Sequence, residues 1–345
     1  MNRMAEAIPR VSLGRRRARR SSPNLFPPLA LLGALWLGLP GPAPAAGQER
    51  PPGAWWPSEW GAEDERGAAN RLTPEKVREA SALIREGKVY QLGRPYEAGM
   101  PLFGNRHYSL TIVGTPTGGP LGSNHVVWHD EMVSGELGQV GTQFDGLGHV
   151  GMRLGEGDYF YNGFRRDEFA GPYGLTHLGV EKVGPIFTRG VLIDVARHRG
   201  VERLDPGYAI SVEDLQGALE AEGVELHPGD AVLLRTGHGA LWMKENETYN
   251  GAEPGIGLEA GRWLVGQQVV LVGADNYGIE VVPAEDPEAA FPVHQLFVTR
   301  HGIYNLENLD LEELAADRTY EFAFIFSPLR LKGATGSPGN PIAVR

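Results

Sequence analysis

The stretch Gly138–Gly151, GQVGTQFDGLGHVG, concentrates side chains able to hold an ion or move a proton. Taken as a strand, it sets Gln139, Gly141, Gln143 and Asp145 on one face and Val140, Thr142 and Phe144 on the other, because strand side chains alternate with period 2. A buried polar face must be satisfied by hydrogen bonds or by an ion. At about 3.3 Å per residue the Cα atoms of Gln143 and Asp145 lie about 6.6 Å apart, an easy chelating distance. Gln139 stands about 13 Å from Gln143 on a straight strand, so it shares an ion only if the backbone bends at Gly141. A helix would bring 139 and 143 onto one face, but Gly138, Gly141 and the β-branched neighbours disfavour it. Spacing alone favours an ordinary polar strand face, with ion binding as the alternative.

Other chemistries fit less well. Gly146-Leu-Gly148-His-Val-Gly151 matches G-x-G-x-x-G, with Asp167 downstream where a ribose contact would lie. Dinucleotide binding also needs a helix starting at the glycines, and Met152–Gly157 has no helical periodicity. There is no G-x-S-x-G elbow. The chain has no cysteine, which excludes disulfides, iron–sulfur clusters and a thiol nucleophile. Ten histidines remain as bases or ligands. One of them, His294, sits in Pro292-Val-His294-Gln-Leu-Phe, the first turn of a short helix ended by Gly302, and Glu307 follows a brief strand over Ile303–Leu306.

The elements that must position these groups are mixed. The chain has 345 residues, 41% hydrophobic and 22% charged, a globular composition. Thr73-Pro74-Glu75 opens a helix with Gly87 as its stop, and Ser211-Val-Glu-Asp214 opens a second that runs to Gly223. Val191–Ala196, Ala231–Leu234, Gln268–Val272 and Phe322–Phe326 read as strands covered on both faces, and His227-Pro-Gly-Asp230 as a turn feeding the second of them. No low-complexity linker divides residues 46–345, which favours one α/β domain.

Residues 1–45 read as a secretory signal: seven arginines, then an apolar run from Leu25 through Leu39, then Ala43-Pro44-Ala45. Prolines break that run short of the ~20 apolar residues that span a bilayer, so no stable membrane anchor is expected after cleavage and the product is periplasmic or secreted. Arg19-Arg20 resembles a twin-arginine signal only weakly. Seven Arg and one Glu give this segment +6; removing it from the formal −11 of the whole chain leaves −17. Nucleic acid, which needs a basic face, is excluded as a partner.

The combination Gln139-Val-Gly-Thr-Gln143-Phe-Asp145-Gly-Leu-Gly-His149, then His294, then Glu307-Asn308-Leu309, resembles the Putative cyclase family of metal-dependent hydrolases, which includes kynurenine formamidases and isatin hydrolases. Trp60–Asn70, Arg189–Asp194 and Pro228–Gly237 extend the likeness along nearly all of residues 46–345. It implies a single-domain α/β fold of the swivelling β/β/α type, with a central mixed sheet or barrel-like core and flanking helices, and a homo-oligomer. Carried over by position, Asp145, His294 and Glu307 fall on metal ligands, and His149 falls on the catalytic histidine. Where the family motif H-x-G-T-H-x-D-x-P-x-H has histidines, this chain has Gln139 and Gln143, and Leu147 replaces the proline. The Q-x-x-x-Q-x-D pattern looks more like the trans-dienelactone hydrolase branch. Gln139, Gln143, Asp145, His294 and Glu307 are then the expected ligands of one divalent metal. Zn²⁺ is the first choice and Mn²⁺ the second, because the donors are mostly oxygen.

Such an ion lowers the pKa of bound water toward ~7 and polarises a carbonyl, so no protein nucleophile is needed and His149 serves as proton carrier. The expected substrate is a small-molecule lactone or amide. Trp128, Trp242, Trp263 and Phe291 are candidates for an apolar pocket, and Arg235 for a local cation that admits anions into a negative field. The competing expectation is an exported, non-catalytic binding protein on the same fold, because loss of two histidines is how such a scaffold becomes inert.

Overall fold

The apolar, β-branched runs pair into a nine-stranded mixed sheet in the computed structural model, which describes residues 50–114 and 117–345. The signal segment expected at 1–45 lies outside the described residues. Arg50–Arg345 clusters as one compact unit. Its sheet strands are β1 (Val89–Gln91), β2 (Gln143–Asp145), β3 (Ile186–Asp194), β4 (Ala231–Arg235), β5 (Leu271–Ala274), β6 (Tyr304–Glu307), β7 (Glu321–Phe326), β8 (Gly336–Pro338) and β9 (Ile342–Val344). They lie in the order β1-β9-β7-β3-β4-β5-β6-β2-β8. The four central strands β3 to β6 are parallel, and every flanking pair is antiparallel.

Register explains why a polar group can sit on this sheet. One row crosses six strands as Val191, Val232, Val272, Asn305, Asp145 and Gly336. Residues in a row project to the same side, so the face that is valine on β3 to β5 turns polar on β6 and β2. On the opposite side of β2, Phe144 stacks on Tyr304 at 4.9 Å and meets Phe326 at 5.2 Å. That aromatic contact fixes a strand of only three residues, with its polar side chains facing the other way.

Helices cover the parallel strands: α1 (Pro74–Ser81), α2 (Val212–Glu222), α3 (Leu258–Gly266) and α4 (Pro292–His294), which continues as π-helical turns over Gln295–His301. Ser211 and Asp214 form the capping box expected for α2, and Gly223 closes it at φ 70°. The first helix stops at Ser81, short of Gly87, in a final turn where the Ala82 N–H bonds to the Arg78 and Glu79 carbonyls. The strand expected at Val191–Ala196 begins earlier, at Ile186, and ends at Asp194, whose side chain accepts the Arg197 N–H and starts a helical turn. The strand expected at Gln268–Val272 begins only at Leu271, because Gln268 has φ 59° and its carbonyl takes the Gly229 N–H. The turn at His227–Asp230 forms as read, and buried Asp230 ties it to Arg189 of β3 at 2.7 Å. No helix among the described residues is long and apolar enough to cross a membrane.

Among the short ladders outside this sheet are two antiparallel ones, 108–112 with 131–135 and 118–121 with 126–128. They are inserted between β1 and β2.

Gly336, beside Asp145, has no room for a side chain: a Cβ there would overlap Gln143 Nε2 and lie 2.6 Å from the Phe144 carbonyl oxygen. Gly336→Ala is expected to lower the unfolding free energy by about 1–3 kcal/mol, the range for overpacking a tight interior. Urea denaturation measures it, and an unchanged midpoint would show that β8 yields without strain.

Candidate metal centre

In the antiparallel pair β2–β6, Gln143 lies opposite Glu307 and Asp145 opposite Asn305, so all four project from one face. His294 reaches the same place from α4. Asp145, His294 and Glu307 each offer a ligand atom, and the three atoms lie within 4.8 Å of one another, all buried. His294 Nε2 is 3.2 Å from Glu307 Oε1 and 3.7 Å from Asp145 Oδ2.

The two glutamines behave differently from a straight polar strand. Gln139 has φ 62° and Gly141 φ 57°, so the chain bends before β2 and only Gln143–Asp145 is extended. A Cβ at Gly141 would drive into the Tyr96 ring, so glycine is required at this bend on steric grounds too. The bend brings Gln139 back over Asp145, where its Nε2 donates to Asp145 Oδ1 at 2.7 Å and meets His149 Nε2 at 3.2 Å. Gln143 Nε2 also turns to Asp145 Oδ1, at 3.3 Å, leaving Gln143 Oε1 buried without a partner. His149 follows in a turn closed by its N–H on the Gly146 carbonyl, with no helix, and its Nε2 is 3.8 Å from Asp145 Oδ1. All six residues read from the sequence thus gather in one place.

Glu280, which the sequence reading missed, organises the helical side. Its carboxylate accepts the Val293 N–H at 2.9 Å, the His294 N–H at 2.8 Å and His294 Nδ1 at 2.5 Å. With Nδ1–H committed to Glu280, Nε2 is the ring nitrogen left facing Asp145 and Glu307. Burial disfavours the charged imidazole, but its bonds to Glu280 and Glu307 outweigh this and raise its pKa well above the ordinary value. Burial, then the neighbouring Asp145, hold the Glu307 carboxyl well above the usual carboxylate range, against the pull of His294. Buried Glu253 is raised by desolvation first, and then by Glu307 among nearby charges.

These residues fit a divalent cation. Asp145 Oδ2 and Gln143 Oε1 are buried with no hydrogen-bond partner, beside a second carboxylate and an imidazole nitrogen. Unsatisfied acceptors clustered in this way carry a desolvation cost that a cation removes.

The cluster opens onto a cavity of about 300 Å³ whose wall includes Phe103, Arg106, His149, Tyr277 and Phe291. Phe103 stacks on Tyr277 at 5.4 Å and meets Phe291 edge-on at 6.4 Å. Of the four aromatic candidates, only Phe291 lines this cavity. Trp128 is exposed on the inserted ladder, Trp242 packs edge-on against Tyr249, and Trp263 packs on the main core. Arg235 is also displaced from its expected role: it ends β4 and pairs with Asp194 at 2.9 Å and Glu312 at 2.9 Å. The cation at the cavity is Arg106, which the sequence reading passed over. A legible signal did exist for Glu280 and Tyr277. Both follow the apolar run of β5 in Asp275-Asn-Tyr-Gly-Ile-Glu280, at the carboxyl edge of a parallel strand where α/β proteins bind ligands.

Comparisons agree with this fold. Residues 90–281 match the family model described as Putative cyclase. No curated protein matches the sequence. A crystal structure described as a novel cyclase is 35% identical, covers 83% of this chain and 96% of its own, and superposes with a TM-score of 0.75. Isatin hydrolase A from Ralstonia solanacearum is 21% identical over 79% of this chain and 98% of its own, with a TM-score of 0.57. Isatin hydrolase A from Labrenzia aggregata, bound to benzyl benzoate, is 19% identical over 76% of this chain and 94% of its own, with a TM-score of 0.54. The last two likenesses are likenesses of fold. By the family match over more than half its length, and by its 35% identity to a cyclase of known structure, this chain belongs to the Putative cyclase family.

Proposed function

We propose that this chain is a metal-dependent hydrolase that opens a lactone, or a cyclic or aryl amide, of a small molecule bearing a carboxylate. The observation that carries this reading is the buried Asp145, His294 and Glu307 cluster, opening through His149 onto a cavity walled by aromatic rings. Asp145, His294 and Glu307 would hold the ion, with Gln143 Oε1 the nearest further donor. The Q-x-x-x-Q-x-D pattern is the reason to favour the dienelactone hydrolase branch; the imidazole and carboxylates suit Zn²⁺, and the preponderance of oxygen donors makes Mn²⁺ the second choice. When bound, a divalent cation supplies Lewis acidity and makes water a better nucleophile at neutral pH.

The chain's own residues do the rest. His149 Nε2 lies 3.2 Å from Gln139 Nε2, and with the ring proton on Nδ1 its one lone pair can exchange that contact for the proton of a water in the cavity. The same nitrogen then returns that proton to the leaving oxygen or nitrogen. Gln139 links His149 to Asp145, so the base and the ion-holding carboxylate keep a fixed spacing. Phe103, Tyr277 and Phe291 exclude bulk water and offer flat apolar surface to a ring. Arg106 is the cationic side chain placed to pair with a substrate carboxylate.

Elemental analysis of the purified protein is expected to find one metal per chain, lost with activity on chelation and much reduced in Glu307→Ala. Two equivalents would overturn the single-ion reading. The raised Glu307 carboxyl must lose its proton to bind a cation. Metal affinity should therefore climb with pH toward and through neutrality, by up to about tenfold per unit for each proton displaced.

His149→Ala should keep the metal and lose about 10²–10⁴-fold in kcat, the range for removing a general base. If the variant comes out metal-free, His149 is a ligand instead. Arg106→Gln should raise KM for a carboxylate-bearing substrate by roughly 10–100-fold, as loss of a hydrogen bond to a charged group does, and leave kcat and the methyl ester of that substrate nearly unaffected. An equal loss for acid and ester would remove Arg106 from substrate recognition.

A further inference from the structure

We infer that Asn305 is a positioning residue that holds the Asp145 carboxylate in its ion-binding orientation, an inference that rests on the single-cation reading of the site. Asn305 stands on β6 directly opposite Asp145 of β2, and it is fully buried. Its backbone takes its place in the ladders to β5 and β2, but its side chain makes no hydrogen bond: Nδ2 and Oδ1 are both buried without a partner. Eleven buried side-chain atoms among the described residues are orphaned in this way, and four of them belong to Asn305, Asp145 and Gln143. Four on two paired strands make one local imbalance, not scatter.

The row that carries Asn305 shows that the sheet itself does not ask for an amide. Its neighbours on β3, β4 and β5 are Val191, Val232 and Val272. Asn is disfavoured in strands, and burying its amide without partners is costly where a fourth valine would not be. On the other side of Asp145 the row ends in Gly336, which has no side chain. Asn305 is therefore the one side chain flanking Asp145 along the row.

The chemistry of the pair fixes which end of the amide is used. Asp145 Oδ1 accepts from Gln139 Nε2 at 2.7 Å and from Gln143 Nε2 at 3.3 Å, whereas Oδ2 faces His294 Nε2 at 3.7 Å and accepts nothing. A carboxylate oxygen offers two lone-pair sites. One on Oδ2 serves the cation, and the other is left for a donor. Asn305 Nδ2 is the orphaned donor on the neighbouring strand. Residues opposite each other on antiparallel strands have Cβ atoms about 4.5–5.5 Å apart, so rotation of the Asn305 side chain brings Nδ2 to Oδ2 directly or across one buried water. A ligand oxygen held from behind in this way keeps its orientation and binds the ion more tightly.

Asn305→Val and Asn305→Thr separate the donor from the space it fills, because the two replacements have nearly the same shape and both suit a strand. Competition against a chromophoric chelator measures the affinity for Zn²⁺ and Mn²⁺, and urea unfolding with chelator present measures the fold. Asn305→Val is expected to raise the urea midpoint and to weaken metal binding by about 10–100-fold, the loss that follows when the partner behind a metal ligand is removed. Asn305→Thr, which keeps a hydroxyl donor, should recover most of that affinity. With metal in excess, kcat of Asn305→Val should return close to that of the wild type. Equal affinity in Asn305→Val and the wild type would overturn the inference, as would equal losses in both variants. A kcat deficit in Asn305→Val that excess metal does not restore would overturn it too, by moving Asn305 into the chemistry itself. A wild type that binds neither ion would instead remove the single-cation reading beneath it, so the two failures are told apart in one titration.

Discussion

The site depends on where one buried carboxylate finds its donors. Glu280 arrives from the loop after β5 and takes two backbone N–H groups at the start of α4 together with the imidazole Nδ1–H of His294. An isolated charge buried to this degree costs several kcal/mol, and three donors converging on it offset that cost. The same contacts settle where the helix begins and which ring nitrogen of His294 is left free. The sheet places Asp145 and Glu307 by register alone, but it cannot deliver an imidazole. The Glu280 contact joins the helical half of the cluster to the sheet half.

Around this joint the electrostatics are one-sided. Asp145, Glu253, Glu280 and Glu307 are all buried, and buried His294 is held between Asp145, Glu280 and Glu307. The pKa directions follow from this: the histidine is drawn toward its charged form, and the Glu253 and Glu307 acids toward their neutral forms. Protons on those acids are a substitute for a cation. The orphaned oxygens of Asp145 and Gln143 belong to the same imbalance. A scaffold kept only for its shape would be more stable with apolar residues at these positions.

Much of the frame was legible from periodicity and punctuation. The capping box at Ser211, the turn at His227–Asp230 and the buried strand over Ala231–Leu234 depend on local chemistry, and they form as read. The strand at Gln268 was misplaced by a left-handed residue that no apolar pattern reports. Gln139 is the instructive case. A period-2 reading put it too far from Gln143, and the condition attached to it, a bend at Gly141, is the one the chain meets. Asp145 was visible as one acid on a polar face, but nothing local shows that Glu307, more than 160 residues on, lies on the next strand. The likeness to a family supplied that link. Arg106 and Glu280 stayed hidden because each is an ordinary charged residue in a loop, given meaning only by what folds against it.

The floor of the cavity and its walls come from different kinds of structure. Asp145 and Glu307 are bolted to a crowded sheet row, whereas Phe103 and Phe291 ride on excursions that leave the sheet and return. A change in the excursions therefore reshapes the walls of the cavity without disturbing the sheet row that holds Asp145 and Glu307.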